Sequence, residues 1–145
     1  GIDLVKEQIC VASGEGMSFS QESLEPKGHA IECRINAERL PTFSPSPGNI
    51  KEFHSPGGIG IRMDSAIYNG FTVPPHYDSL IGKLIVHADD RQMAVRRLAR
   101  ALDELIIDGV YTTLDLFKEI LNEEQFKSGE YNIHWLENWL TDQAQ

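Results

Sequence analysis

Long uncharged hydrophobic runs are missing from this 145-residue chain, and cysteine and basic residues are scarce. No apolar stretch approaches the roughly 20 residues that cross a bilayer, so we expect no membrane-spanning segment. Two cysteines, Cys10 and Cys33, are too few for a disulfide framework and favour a reducing, cytoplasmic setting. Because 13 Lys and Arg stand against 22 Asp and Glu, the net charge is -9, which argues against nucleic acid as a partner.

Motifs that mark common catalytic sites are missing as well. The five histidines are scattered and have no zinc-ligand spacing, so we expect no metal site in this segment. The glycine-rich run at residues 57–60 lacks the dinucleotide-binding spacing and the Lys-Ser/Thr ending of a phosphate loop, which favours a turn. No Gly-x-Ser-x-Gly elbow supports nucleophilic hydrolysis. Function therefore has to be inferred from longer patterns.

The chain does have the composition of an ordinary globular domain, with 41% hydrophobic and 24% charged residues. It starts at Gly1 within an amphipathic pattern and without Met, so we expect it to be part of a longer protein. Helical spacing predicts a helix over residues 3–13 that packs on a neighbour, and the polar residues 16–27 predict a connector. We therefore separate residues 1–26, the end of an upstream domain, from a domain at 27–145.

Alternation of side chains over residues 28–38 predicts a strand with two different faces. One face carries Ala30, Glu32, Arg34 and Asn36, and the other carries the mostly apolar residues between them. Prolines and a glycine make residues 41–48 an ordered loop or turn. Short strands predicted at 50–53, 60–63 and 83–87 complete an antiparallel sheet.

The last third of the chain changes to a helical period. An amphipathic helix is predicted to begin near Asp89 or Asp90 and to end, or turn, at Asp108-Gly109. Two further helices are predicted over residues 113–122 and 133–141. An antiparallel sheet followed by packed C-terminal helices is an α+β fold.

Arg34 is the first candidate site residue, because two-residue spacing on a strand places it on one face with Glu32 and Asn36. A guanidinium is permanently charged and offers paired planar donors, which suit a carboxylate, bicarbonate or a developing enolate oxygen. From spacing alone, an exposed Glu32–Arg34 ion pair worth at most about 1 kcal/mol is the favoured interpretation.

Asp78, Ser79 and His134 are further polar candidates. Asp78 and Ser79 follow a stiff proline-containing segment and precede a predicted strand. Capping of a short helix is at least as good an interpretation of this pair as a role in a site. His134 has the position of a residue at a helix start.

Five segments, taken in chain order, resemble the biotin carboxylase family in the form found in bacterial acetyl-CoA carboxylase. They read GIDLVKEQ at residues 1–8, GHAIECRINAE at 28–38, PSPG at 45–48, HYDSLIGKLI at 76–85 and NIH at 132–134. The ordered set extends over nearly the whole chain and is specific, whereas each segment alone is weak. The resemblance implies the fold of the biotin carboxylase C-terminal domain, preceded in residues 1–26 by the end of an ATP-grasp domain.

The resemblance also implies an activity. Enzymes of this family use ATP and Mg2+ to activate bicarbonate and then carboxylate biotin on a biotin carboxyl carrier protein. That carboxylation is the first step of acetyl-CoA carboxylation in fatty acid synthesis, which carboxyltransferase subunits complete. The family's Mg2+ ligands, phosphate-binding lysines and catalytic base lie upstream of the position that matches Gly1, so the chain alone is expected to be inactive.

Two candidate residues receive roles near the chemistry through this resemblance. Arg34 matches the arginine that contacts biotin and bicarbonate, where a fixed cation stabilises negative charge that develops on the ureido oxygen. Asp78 matches a position near the dimer interface that orients basic side chains around the biotin site.

Other residues match more distant parts of the family site. Ile133 and His134 match residues at the adenine end of the ATP pocket, where one supplies an apolar contact and the other a ring edge. The turn over residues 57–62, with Ile59 and Arg62, matches a surface of the family homodimer.

Two alternatives remain open at the level of the sequence. The segment could act mainly as a structural and dimerisation module, which its turn-rich strands and apolar helices allow. It could also come from a propionyl-, methylcrotonyl- or pyruvate-type carboxylase, although residues 45–48 and 77–79 fit the bacterial acetyl-CoA type better.

Overall fold

Eight consecutive strands precede most of the helices in the computed structural model, which describes residues 1–143. The strands are β1 (His29–Asn36), β2 (Glu38–Arg39), β3 (Ser44–Pro45), β4 (Gly48–Asn49), β5 (Glu52–His54), β6 (Ile61–Ser65), β7 (Thr72–Val73), β8 (Leu80–Ala88) and β9 (Ile106–Asp108). The helices are α1 (Leu4–Ala12), α2 (Arg91–Glu104), α3 (Leu114–Ile120), α4 (Glu124–Ser128) and α5 (Trp135–Gln143), and a 3-10 turn spans Gln21–Ser23. The predicted α+β class with an antiparallel sheet is confirmed.

The central sheet has the order β1–β8–β6 and is antiparallel throughout. Arg34 on β1 lies opposite Lys83 on β8, and Lys83 lies opposite Asp64 on β6. Ile35 and Leu84 are fully buried on the other face, whereas Arg34 is exposed. The two-faced strand predicted from alternation is therefore confirmed.

Helix α2 covers the apolar face of this sheet. Its buried residues Ala94, Leu98, Ala101 and Leu102 recur at helical spacing and join the core around Leu84. Asp90 caps the helix, because its side chain accepts a hydrogen bond of 2.7 Å from the backbone N–H of Met93. The predicted start of this helix is confirmed.

Three two-stranded ladders surround the central sheet, and one of them corrects the predicted end of α2. They pair β2 with β3, β4 with β7, and β5 with β9. The helix ends at Glu104, and residues Ile106–Asp108 form β9 on β5 before the chain turns at Gly109. Of the two alternatives predicted at Asp108-Gly109, the end of the helix was wrong, and the turn of the chain is confirmed.

Helix α1 stands apart from the core. It begins after Asp3, whose side chain accepts from the N–H of Lys6 at 3.1 Å, and none of its residues is buried. Leu4 and Ile9 are 70% and 65% exposed. Residues 13–143 do not cover these apolar side chains, so the packing of this helix on a neighbour stays a prediction.

The C-terminal helices are joined by aromatic contacts. Phe126, Tyr131, Trp135 and Trp139 form a series whose neighbouring ring centroids lie 5.5, 5.7 and 6.1 Å apart. Arg91 at the start of α2 lies 5.2 Å from the Phe126 ring centroid and donates to the carbonyl of Lys127 at 3.1 Å. These contacts hold α4 and α5 near the start of α2, and Arg91 also lies 3.0 Å from the His29 ring at the start of β1.

Candidate functional site

Arg34 lies in an open cleft of about 590 Å³ at the end of β1. Asn36, Glu38, Phe43, Asp78 and Ser79 line the same cleft, together with the start of α3 and Leu136 of α5. This volume is in the range of small-ligand sites. The structure therefore brings together Arg34 and Asp78, two residues singled out from separate segments of the sequence.

Arg34 has charged neighbours of both signs, since the carboxylates of Glu38 and Asp78 line the same cleft. Lys83 lies opposite Arg34 on the same face of the sheet, because directly paired residues in an antiparallel ladder point to one side. Among residues 1–143, neither Glu32 nor Arg34 forms an ion pair. The Glu32–Arg34 pair favoured from spacing is thus absent there, and the guanidinium stays available to a ligand.

Thr113, the residue before α3, holds the backbone of Arg34 in place. Its hydroxyl donates to the carbonyl of Arg34 at 3.4 Å and accepts from the N–H of Asn36 at 3.1 Å. Its own N–H donates to the carbonyl of Asn36 at 3.1 Å. Thr113 is only 5% exposed, so these bonds form out of water and fix the end of β1.

Asp78 approaches the cleft from the turn that precedes β8. Its carboxylate accepts a hydrogen bond of 2.8 Å from the N–H of Leu80, and β8 starts at that residue. The alternative in which Asp78 and Ser79 cap a helix is therefore wrong, because a strand follows. An irregularity in the β1–β8 register after Ile35 lets the carbonyl of Ser79 accept from the N–H of Ala37 at 2.7 Å.

Three polar side chains in the wall of the cleft bond to one another. The amide nitrogen of Asn36 donates to Glu38 Oε1 at 3.0 Å and to Ser79 Oγ at 3.2 Å. The hydroxyl of Ser79 also donates to Glu38 Oε1. We call Asn36, Glu38 and Ser79 the polar triangle.

Ile133 and His134 lie away from this cleft, at the start of α5. Ile133 is 89% exposed. The N–H of His134 donates to the Asn132 side chain at 2.9 Å, and its ring lies 3.8 Å from the carboxylate of Glu137. The position of His134 at a helix start is confirmed, and both side chains remain open to a ligand on that side.

The turn over residues 57–62 lies outside the cleft that Arg34 lines. Ile59 at its tip is 94% exposed. Arg62 pairs with Asp64 at 2.9 Å on the same strand. The turn therefore presents one large apolar side chain beside a charged pair.

Several site residues were not identified from the sequence. Nothing in the local pattern singles out Thr113 or Phe43, and Glu38 drew attention only as the last residue of a family segment. Their role depends on contacts between distant segments. In residues 1–143, no group of His, Cys, Asp and Glu could hold a metal ion, and no helix has the length and apolarity to cross a membrane.

The chain matches the model of the biotin carboxylase C-terminal domain over residues 32–138. It is 56% identical over 140 residues to biotin carboxylase of Haemophilus influenzae, covering 97% of this chain and 31% of that protein. It is 53% identical to a pyruvate carboxylase component of Methanothermobacter thermautotrophicus, covering 96% of this chain and 28% of the relative.

Solved structures show the same fold. The biotin carboxylase domain dimer of Hydrogenobacter thermophilus 2-oxoglutarate carboxylase, bound to MgADP, ADP and bicarbonate, superposes with a TM-score of 0.89 at 44% identity. The match covers 95% of this chain and 31% of that one. The chain thus spans about a third of the length of such relatives, and it belongs to the biotin carboxylase C-terminal domain family.

Proposed function

We propose that this chain is the C-terminal part of an ATP-dependent biotin carboxylase, which carboxylates biotin on a carrier protein with bicarbonate. The observation that carries the proposal is the exposed Arg34, which shares a cleft with Asp78 and forms no ion pair within residues 1–143. The family match over residues 32–138 includes both positions. Bicarbonate is bound in the Hydrogenobacter biotin carboxylase domain, and an exposed guanidinium suits such an anion.

Within this reaction, biotin supplies the ureido nitrogen that accepts the carboxyl group. The guanidinium of Arg34 would hold the negative charge that develops on the ureido oxygen, and Lys83 on the neighbouring strand would add positive potential. Asp78, held by its bond to the N–H of Leu80, would orient basic side chains around the same substrate. A donor aimed at developing charge acts mainly on the transition state.

ATP and Mg2+ would be bound largely by the remaining part of the enzyme. The chain spans 31% of the Haemophilus relative, and residues 1–143 contain no group that could hold a metal. Ile133 and His134 would contribute the adenine end of the nucleotide pocket, which their exposure at the start of α5 allows. The chain alone is therefore proposed to be inactive.

Residues 1–26 are proposed to belong to the upstream ATP-grasp domain and its connector. The support is α1, whose apolar residues Leu4, Val5 and Ile9 are all exposed and find no core in the described part of the chain. Such a helix gains stability by packing on another domain.

Acetyl-CoA carboxylation in fatty acid synthesis is the pathway that we propose, with a biotin carboxyl carrier protein and carboxyltransferase subunits as partners in the cytoplasm. Similarity to a pyruvate-type relative is nearly as high, 53% against 56%. The proposal is tested by offering the enzyme the carriers of both types and measuring which one is carboxylated faster.

Activity itself is tested with the full-length enzyme, by which we mean the complete biotin carboxylase that contains this chain. We expect it to incorporate labelled bicarbonate into free biotin, with incorporation depending on both ATP and Mg2+. Omission of biotin is the control. Incorporation that is equal with and without ATP, or absent in an enzyme that still binds ATP, would contradict the proposal.

A second function, formation of a homodimer, is favoured by the turn over residues 57–62. Ile59 is 94% exposed at its tip, and the Hydrogenobacter relative is described as a dimer. An exposed Ile beside the Arg62–Asp64 pair gives an apolar anchor with a polar rim, as found at protein interfaces. Both functions can belong to one domain.

A further inference from the structure

We propose that the polar triangle of Asn36, Glu38 and Ser79 consists of positioning residues that fix the Asp78 turn against the end of β1, so that Arg34 and Asp78 face the same cleft. This inference rests on the proposed function. None of the three touches the reacting atoms in this account, and each acts through a neighbour in the chain.

The position of each member supports this role. Asn36 lies two residues after Arg34 on the same face of β1, and Ser79 directly follows Asp78. Glu38 joins them, because its Oε1 accepts from both the Asn36 amide and the Ser79 hydroxyl. The side-chain bonds therefore connect the two segments that carry the candidate site residues.

The polar triangle holds a carboxylate without a counter-ion and a buried oxygen without a partner among residues 1–143. The Glu38 carboxylate is half-buried and accepts from two neutral donors, and it forms no ion pair within residues 1–143. The amide oxygen of Asn36 is buried and has no hydrogen-bond partner in that part of the chain. Buried polar groups of folded proteins are nearly always satisfied, and exceptions concentrate where function constrains the structure.

Loss of the polar triangle should therefore change the relative placement of Arg34 and Asp78 more than it lowers the stability of the fold. Displacement of a reacting group by about 1 Å can lower turnover by about 100-fold. The backbone bond from Ala37 to Ser79 and the bonds of Thr113 would remain, so β1 and β8 would stay paired.

The test uses four variants of the full-length enzyme, with kcat, KM for MgATP and thermal midpoint measured for each. Ser79→Ala and Glu38→Ala should lower kcat for biotin carboxylation by about 10- to 100-fold with an unchanged KM for MgATP. Glu38→Gln should stay within about threefold of wild type, since its amide oxygen can accept both bonds. Ser46→Ala is the matched control, because Ser46 is 9% exposed and its hydroxyl accepts from the N–H of Tyr111 at 3.0 Å outside the cleft.

Two results would overturn the positioning role. One is a Ser79→Ala enzyme that resembles Ser46→Ala, with a lower thermal midpoint and an unchanged kcat. The other is an equal loss in Glu38→Gln and Glu38→Ala, since the carboxylate charge would then act on the reaction itself.

A fifth variant, Arg34→Ala, separates this inference from the proposed function. If Arg34→Ala leaves kcat unchanged, the role of Arg34 fails. If it lowers kcat while Ser79→Ala does not, only the positioning role fails. Because Ser79 is proposed to act through the Arg34 site, the double variant should lose less than the product of the two single losses, and multiplicative losses would contradict the inference.

Discussion

At the scale of single residues, the two faces of β1 carry opposite chemistry at neighbouring positions. Arg34 is exposed, while Cys33 is buried at 4% exposure against the core. Burial, with a smaller contribution from the charge of Glu32, raises the pKa of Cys33 to about 12. One strand thus holds an available cation on one side and an inert thiol on the other.

Alkylation tests this difference in the two cysteines. At pH 8 the Cys33 thiol stays protonated and shielded, so N-ethylmaleimide should modify Cys10, which is half-buried on α1, well before Cys33. Peptide mass spectrometry of the folded chain measures both rates, and a urea-unfolded sample is the control in which both react. Equal rates in the folded chain would contradict the burial of Cys33.

Sequence patterns nominated residues that line the cleft where a residue type and its spacing were enough. Alternation placed Arg34 on the polar face, and the family segments singled out Asp78. Glu38 and Thr113 could not be found in this way, because their partners lie 41 and 77 positions away in sequence. The register irregularity between β1 and β8 brings Glu38 to Ser79, and the approach of α3 brings Thr113 to Asn36.

At the scale of elements, the turn after β9 is crowded by backbone atoms of the neighbouring residues 49–51. Gly109 has φ +103, and an added Cβ would collide with the backbone carbonyl of Asn49. Gly70 has a similar φ of +92, but an added Cβ there would meet nothing within 4 Å. Both glycines have a positive φ, and only Gly109 is also crowded, so substitutions at the two sites distinguish the cost of backbone strain from the cost of crowding.

Substitution of these glycines should therefore give two different losses of stability. Gly70→Ala should lower the free energy of unfolding by about 1–2 kcal/mol through its positive φ alone. Gly109→Ala adds a collision with backbone and should cost about 1–3 kcal/mol more. Urea unfolding of both variants measures the difference, and equal costs would show that the turn after β9 is not crowded.

Prediction of elements was best where the pattern was long. The strand at β1 and the start of α2 were predicted correctly because eight or more residues repeat one period. Helix α4, with five residues, and β9, with three, were missed. Elements this short are determined by tertiary pairing, such as β9 on β5, and leave little periodic signal.

At the scale of the whole molecule, two of the exposed apolar surfaces within residues 1–143 bear on assembly. One is α1, with Leu4, Val5 and Ile9, and the other is the tip of the turn at Ile59. Relatives of this chain are about three times longer, since the chain covers 31% of the Haemophilus protein. The first surface is proposed to meet an upstream domain and the second another copy of the enzyme.

Dimerisation is tested at the turn. Ile59→Asp in the full-length enzyme should shift the sedimentation equilibrium toward monomer, because it places a charge where the proposed interface buries an apolar side chain. Ile133→Asp is the matched control, since Ile133 is 89% exposed just before α5 and is not assigned to the interface. An unchanged dimer constant in Ile59→Asp, or an equal shift in both variants, would exclude the turn as the contact.

The central claim is that Arg34 contributes directly to biotin carboxylation, and its removal from the full-length enzyme tests this claim most directly. Arg34→Ala should lower kcat by about 100- to 1,000-fold, as expected for loss of one donor to a developing negative charge, and should leave the Kd for ATP unchanged. Arg96→Ala, which removes an exposed arginine on α2 outside the cleft, should leave kcat unchanged. Near-normal carboxylation by Arg34→Ala, measured as labelled bicarbonate fixed on biotin, would contradict the account.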